Sequence, residues 1–168
     1  VTLKPYFSQI RDGTTEGILT TWKGPIGGRA YVIGVDMAAG IQKGDWSVAS
    51  VLDTRTLEYV ARLRARIPPD MFSEQLYHLG MRYNTARMAV ERIGHGHTAL
   101  RILLEKNYPN LYYYVDYDDM TRQTVNEPGW KTTVKTKPMM INSLVAAFRA
   151  QDLISWSENL LDEASGLV

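Results

Sequence analysis

The chain has 168 residues, no cysteine and a formal net charge of +1, with 45% hydrophobic and 22% charged residues. That composition suits one globular domain with a single core and excludes disulfides and cysteine-zinc sites. No apolar run is long enough to span a bilayer, and Val1-Thr2-Leu3-Lys4-Pro5 leads into no apolar stretch of the secretory kind.

With so little net charge, a nucleic-acid role has to rest on local basic patches. Residues 1–28 are rich in Gly, Thr and Pro and carry the turn signals Thr14-Thr15-Glu16-Gly17 and Gly24-Pro25-Ile26-Gly27-Gly28. They read as a lead-in or linker, with residues 29–168 as the domain. Gly24 to Gly28 lack the Gly-Lys-Ser/Thr that grips phosphate and magnesium, which excludes a phosphate loop.

Ala30-Tyr31-Val32-Ile33-Gly34-Val35 is apolar and rich in β-branched residues, a buried central strand that runs up to Asp36. A glycine-containing loop through Asp45 leads to a second strand, Trp46 to Leu52. Asp53-Thr54-Arg55-Thr56 is a hairpin turn, and a third strand runs from Leu57 to Ile67. On it Ala61, Leu63, Ala65 and Ile67 alternate with Arg62, Arg64 and Arg66, which puts the arginines on one face. Pro68-Pro69-Asp70 starts a helix whose apolar face is Phe72, Leu76, Leu79 and Tyr83.

Arg87-Met88-Ala89-Val90 is a short strand ending at Glu91. Gly94-His95-Gly96-His97-Thr98 opens a helix with Leu100, Leu103 and Leu104 as its apolar residues, where the histidines suit a capping or phosphate-contact role. Leu111 to Val115 is a further strand. Residues 116–136 read as polar and turn-rich, becoming strand-like from Trp130 to Val134. Pro138 sits in the first turn of a helix that buries Ile141, Leu144, Val145 and Phe148. Ser155-Trp156-Ser157-Glu158 is a capping box for a last helix to about Ala164. Three consecutive strands followed by βαβ units predict an α/β fold, a mixed sheet with helices on its faces.

Two acids, Asp36 and Glu91, each follow a buried strand. One such acid is most often a turn or cap residue. Two at neighbouring strand ends stand where open α/β sheets bind ligands. Clustered carboxylates repel each other, a divalent cation relieves that repulsion, and hard oxygen donors select magnesium or manganese.

Val32-Ile33-Gly34-Val35-Asp36-Met37-Ala38-Ala39-Gly40, with Lys43-Gly44-Asp45-Trp46-Ser47-Val48, resembles the first nuclease motif of the phage terminase large subunit. Tyr83-Asn84-Thr85-Ala86-Arg87-Met88-Ala89-Val90-Glu91 resembles its second motif. Gly129-Trp130-Lys131-Thr132-Thr133 and Thr136-Lys137-Pro138-Met139-Met140-Ile141 are similar to the segment before its late helix. The resemblance runs from about Tyr31 to Glu163.

It implies a ribonuclease H-like mixed sheet with helices on both faces. The implied activity is a two-metal endonuclease, using magnesium or manganese, that cuts concatemeric viral DNA in the host cytoplasm. Double-stranded DNA, the terminase ATPase domain, the small terminase subunit and the portal are the implied partners, and no membrane is involved. No Walker motif is present, so the chain would be the nuclease part alone. By this resemblance Asp36 and Glu91 match the family's first two catalytic carboxylates, Asp36 bridging both metals, and Asp45 matches a further acidic position of the catalytic site that binds metal or orients a ligand.

The chain departs from the family pattern in two places. Arg92-Ile93-Gly94 stands where the family shows Asn and Gly, which gives Arg92 to DNA contact or to pairing with an acid. The family's third carboxylate, in a His-Asp-Asp-like motif beyond the last helix, has no counterpart before Val168. The resemblance therefore implies a domain shortened at its C-terminus; Asp162 and Glu163 on the last helix are the less favoured alternative, because two-metal sites are geometrically strict.

Lys131, Lys135 and Lys137 would align along an extended segment to track DNA phosphates. The arginine stripe divides evenly between that role and a solvated strand face. Tyr112-Tyr113-Tyr114 fit core and surface alternation better than base stacking. Asp116, Asp118 and Asp119 read as a solvated acidic turn. The rival functions are another ribonuclease H-like nuclease of the resolvase or integrase kind, and a non-catalytic docking module for portal or ATPase domain.

Overall fold

Strands β2 (Tyr31–Asp36), β3 (Ser47–Asp53) and β4 (Glu58–Ala65) form an antiparallel meander. In the computed structural model, which describes residues 18–41, 43–118, 120 and 122–166, these strands are the middle of the main sheet. Their β-branched and alanine positions alternate inward. Ile33, Val35, Ala49, Val51, Ala61 and Leu63 are all buried on one face, as a period of two requires.

The chain then rises into α1 (Pro69–Arg82), with Pro69 in its first turn, Asp70 near its N-terminus and Arg82 near its C-terminus, an arrangement that suits the helix dipole. Phe72, Leu76 and Leu79 bury fully against the sheet, each removal from water contributing roughly 1.5–3 kcal/mol. Asn84 and Thr85, both at positive φ, turn the chain into β5 (Arg87–Val90). β5 pairs parallel with β2, with Val35 beside Val90. α2 (Gly96–Glu105) packs beside α1 and buries Ala99, Leu100 and Leu103 in the same core. Leu104, expected on that face, is 42% exposed, because the helix turns it away from the sheet.

With β1 (Ile18–Thr21) at one edge, the sheet order is β1-β4-β3-β2-β5, and β8 (Ile154–Ser155) is paired to β4. β1 lies within the stretch read as a lead-in and pairs antiparallel with β4. Residues 1–17, including the Thr14–Gly17 turn signal, lie outside the described residues.

Three expectations for the C-terminal third need correction. Residues 123–128, read as polar turns, form β7 (Gln123–Pro128), the partner of β6 (Tyr113–Asp118) in a separate hairpin. β7 is largely exposed, so no alternating pattern marked it.

The segment from Trp130 is not a strand beyond one bridge to Glu91. Thr133 and Thr136 exchange bonds, the Thr133 amide to Thr136 Oγ1 at 2.8 Å and the Thr136 amide to Thr133 Oγ1 at 3.0 Å, and this curls the chain into α3 (Thr136–Arg149). No residue of α3 is fully buried, but Ile141, Leu144, Val145 and Phe148, the face expected inward, are half-buried, and Met140 lines a cleft.

The last helix, α4 (Glu158–Ser165), is capped by Ser157, whose side chain accepts from the Leu160 amide, and not by Ser155, which belongs to β8. α4 sits on the sheet face opposite the core, with Arg62 Nη1 donating to Ser157 Oγ at 3.3 Å. Among the described residues, no helix is long and apolar enough to cross a membrane.

Candidate functional site

Asp36 is the last residue of β2, and Glu91 follows the last residue of β5. The Glu91 amide donates to the Val35 carbonyl at 3.0 Å, which extends the parallel ladder by one step and sets the two acids side by side. On its other side the Trp130 amide donates to Val90 and the Arg92 amide to the Trp130 carbonyl, so Glu91 is clamped between two backbone partners.

Two glycines make this close packing possible. A Cβ on Gly96 would lie 1.7 Å from the Glu91 carbonyl oxygen. One on Gly129, at φ +90°, would lie 2.6 Å from the Val90 oxygen.

The pair opens into a cleft of about 470 Å³ lined by Gly34, Val35, Asp36, Val48, Ser50, Ala89, Glu91, Trp130, Thr132 and Met140. Desolvation by the cleft walls pushes the Asp36 carboxyl up, and the negative charge of Glu91 adds to it. The Met37 amide acts the other way, and the two carboxyl groups are close enough to share a hydrogen bond. Asp36 keeps substantial accessible surface, so the walls crowd it without closing over it.

Two hard oxygen donors that repel each other in a partly desolvated cleft suit a hard divalent cation. The residues present fit that group as a two-carboxylate seat. Asp45 is exposed on the loop before β3 and adds to the rise in Asp36 through its charge alone. Among the described residues, no group of three or more His, Asp or Glu side chains converges as a metal cage.

The basic residues expected at DNA are divided. Lys131 Nζ bonds Asp116 Oδ2 at 2.7 Å. Arg92 pairs with Glu127 of β7, the acid-pairing role read from the sequence, and this ties the hairpin to the segment after Glu91. Lys135 sits in the turn before α3 and Lys137 in its first turn, both exposed, so the three lysines do not share an extended strand.

His95 is the N-cap residue of α2 without a side-chain capping bond. Tyr112 and Tyr114 pack against Trp130, with ring centroids 5.8 and 6.1 Å away. Asp118 ends β6, and Asp119 lies outside the described residues. Sequence reasoning missed Trp130 as a wall of the carboxylate cleft. Its only sequence signal was the Gly129-Trp130 pair, a glycine needed for close approach beside a large ring.

No protein-family model matches the chain, and no curated protein matches it. Among solved structures it is similar to the large terminase nuclease of thermophilic phage G20c with bound magnesium, at TM-score 0.64 and 18% identity over 89% of this chain and 70% of that one. The same nuclease with bound zinc gives 0.63 and 18% over 88% and 76%. The large terminase nuclease domain of Thermus phage P74-26 gives 0.65 and 18% over 89% and 68%. At this identity the likeness is one of architecture. The chain has the ribonuclease H-like fold of the phage large terminase nuclease domains.

Proposed function

We propose that the chain is a divalent-metal-dependent endodeoxyribonuclease domain of a viral genome-packaging terminase, acting on concatemeric double-stranded DNA in the host cytoplasm. The observation that carries this reading is the Asp36–Glu91 pair, held by a parallel backbone ladder at the mouth of an open cleft. The fold shared with terminase nucleases, one of which is seen both with bound magnesium and with bound zinc, supports it. The ATPase domain, the small terminase subunit and the portal are the partners that go with this assignment.

Magnesium or manganese bound here, as one ion or two, would neutralise the pair and supply the Lewis acidity that phosphodiester hydrolysis requires. Asp36 and Glu91 would hold it, and Asp45 would add negative charge from the loop before β3. Val48, Ala89 and Trp130 give the rest of the cleft apolar walls that limit water around the reacting group. Lys135 and Lys137 would meet DNA phosphates beside the cleft. Lys131 and Arg92 would join them only by leaving Asp116 and Glu127.

The test is cleavage of supercoiled plasmid with manganese, with magnesium and with chelator, beside Asp36→Asn and Glu91→Gln. Metal-dependent nicking that falls about 10³-fold or more in either variant is the expected result, since metal-bound charge stabilisation is worth several kcal/mol. Cutting that persists at the wild-type rate in both variants would overturn the assignment. Preference for branched DNA, or strand-transfer products, would move it to the resolvase or integrase class.

A further inference from the structure

β2 and β3 pair antiparallel as far as Asp36 and Val48, and there the ladder ends. The residues that come next on either side, Met37 and Ser47, are buried, at 8% and 0% exposure. As the chain turns away from the sheet, the Ala38 amide needs a partner. Ser47 Oγ accepts from it at 3.0 Å and donates to the Ala38 carbonyl at 3.4 Å. A side chain thus does here what backbone does along the rest of the ladder.

Met37 is thereby held from both sides. Its own amide bonds the Asp36 carboxylate, and the amide after it is fixed on Ser47. Each residue has only two soft dihedrals, so a peptide anchored beyond Met37 restricts how the peptide before it can turn. Ser47 therefore bears on the direction of the Asp36 carboxylate through one intervening residue. Glu91, by contrast, is held by backbone bonds on both sides.

The same bond closes the loop between two acids. Ala38 lies two positions after Asp36, and Ser47 two positions after Asp45. The charge of Asp45 reaches Asp36. Farther out, Gly40 at φ +73° packs where a Cβ would lie 2.1 Å from the Ile67 carbonyl oxygen, and the Gly44 amide donates to the Ile41 carbonyl at 3.0 Å. These contacts shape the loop, and Ser47 fastens its base.

We propose that Ser47 is a positioning residue for the Asp36–Glu91 site, fixing through Ala38 the turn that aims the Asp36 carboxylate and the loop that carries Asp45. This rests on the nuclease reading, because the aim of Asp36 matters to the reaction only where Asp36 holds the metal. The expected scale is that of groups that orient a metal ligand, about 10–100-fold in affinity or rate.

The experiment is calorimetric titration of manganese into wild type, Ser47→Ala, Ser47→Thr and Ser47→Val, each checked for folding by circular dichroism and melting. The same proteins then cut supercoiled plasmid at saturating manganese. Threonine keeps the hydroxyl acceptor, and valine has the same shape without it, so crowding by the added methyl cancels between these two. Ser47→Ala and Ser47→Val should bind manganese about 10–100-fold more weakly and lower kcat with an unchanged KM for plasmid. Ser47→Thr should bind it about tenfold or more tighter than Ser47→Val.

A folded Ser47→Ala with the manganese affinity and kcat of wild type overturns the proposal and leaves the nuclease reading standing. Equal weakening in Ser47→Thr and Ser47→Val also overturns it, since the residue would then act through packing. Failure of both Ser47→Ala and Ser47→Val to fold makes the hydroxyl a requirement of the fold, and overturns it too. Wild-type protein that binds no manganese overturns the metal-site reading itself, and the role of Ser47 with it.

Discussion

Asp36 and Glu91 end adjacent parallel strands, and the Glu91 amide donates to the Val35 carbonyl at 3.0 Å, so the backbone and not a side-chain bond forces the two acids together. The enforced proximity costs stability. Burial and the Glu91 charge raise the Asp36 carboxyl above its ordinary value. An acid whose folded pKa lies above the unfolded value of about 3.9 destabilises the fold fully above the raised pKa, and that cost vanishes below the unfolded one.

Metal-free Asp36→Asn should therefore melt at a higher temperature than wild type at pH 7, by about 2–4 °C for each kcal/mol relieved. The gain should shrink as the pH falls towards 4. Magnesium at a hundredfold excess over its Kd should stabilise wild type by about 2.7 kcal/mol and leave the variant unmoved. Differential scanning calorimetry with and without magnesium checks both arms.

Gly96 starts α2 against the Glu91 carbonyl, where a Cβ would lie 1.7 Å from the oxygen. Gly96→Ala must push either the helix or Glu91 aside. Overpacking of this kind costs about 1–3 kcal/mol, and a displacement near 1 Å at a reacting group costs about 10²-fold in rate. The variant should melt several degrees lower and cut plasmid about 10²-fold more slowly. A variant with wild-type cleavage would show that the position of Glu91 does not matter to the reaction.

Asp53 is 1% exposed at the end of β3 and receives Arg29 Nη1 at 2.7 Å and the Arg55 amide at 2.9 Å. Burial alone would raise its carboxyl. The Arg29 bond and the Arg55 and Thr56 amides outweigh burial and hold it below the ordinary carboxylate range. A depressed acid contributes stability above the unfolded pKa and loses it as pH falls through the folded one. Asp53→Asn should cost about 2–3 kcal/mol at pH 7, a difference that narrows below about pH 4. Urea denaturation at pH 7 and pH 3 measures the gap, and a gap of equal size at both would remove the ionic contribution.

Lys131 bonds Asp116 at 2.7 Å, while Lys135 and Lys137 stand exposed at the start of α3. A phosphate competing for Lys131 must first displace a carboxylate. Lys135→Ala and Lys137→Ala should each lower the salt slope of duplex binding by about 0.9, Lys131→Ala should lower it less, and Asp116→Asn should tighten binding. Anisotropy of fluorescent duplex DNA across a salt series reads all four, and an unchanged slope in Lys135→Ala and Lys137→Ala together would exclude the turn before α3 from the DNA interface.

Local chemistry was enough to locate the two acids. Tyr31 to Val35 and Arg87 to Val90 are short apolar runs, and each stops at a carboxylate, which a sequence states directly. The alternation of Ala61, Leu63 and Ala65 with arginines likewise told both faces of β4 apart, and Phe72, Leu76 and Leu79 gave α1 its buried side. These signals depend on neighbours within a few residues.

What only the tertiary structure decided depends on pairings far apart in the chain. β5 had to lie beside β2 for Asp36 to meet Glu91, and β3 had to lie between β2 and β4 for Arg64 to share a row with Asp36. Trp130 became a wall of the cleft through bonds to Val90 and Arg92, about forty positions away in sequence. β1 and β7 went unread because four residues at a sheet edge and an exposed hairpin strand carry no apolar alternation. The Lys131–Lys137 segment curled because hydroxyl-to-amide bonds between Thr133 and Thr136 satisfied the backbone locally, without the partner strand that an extended segment needs.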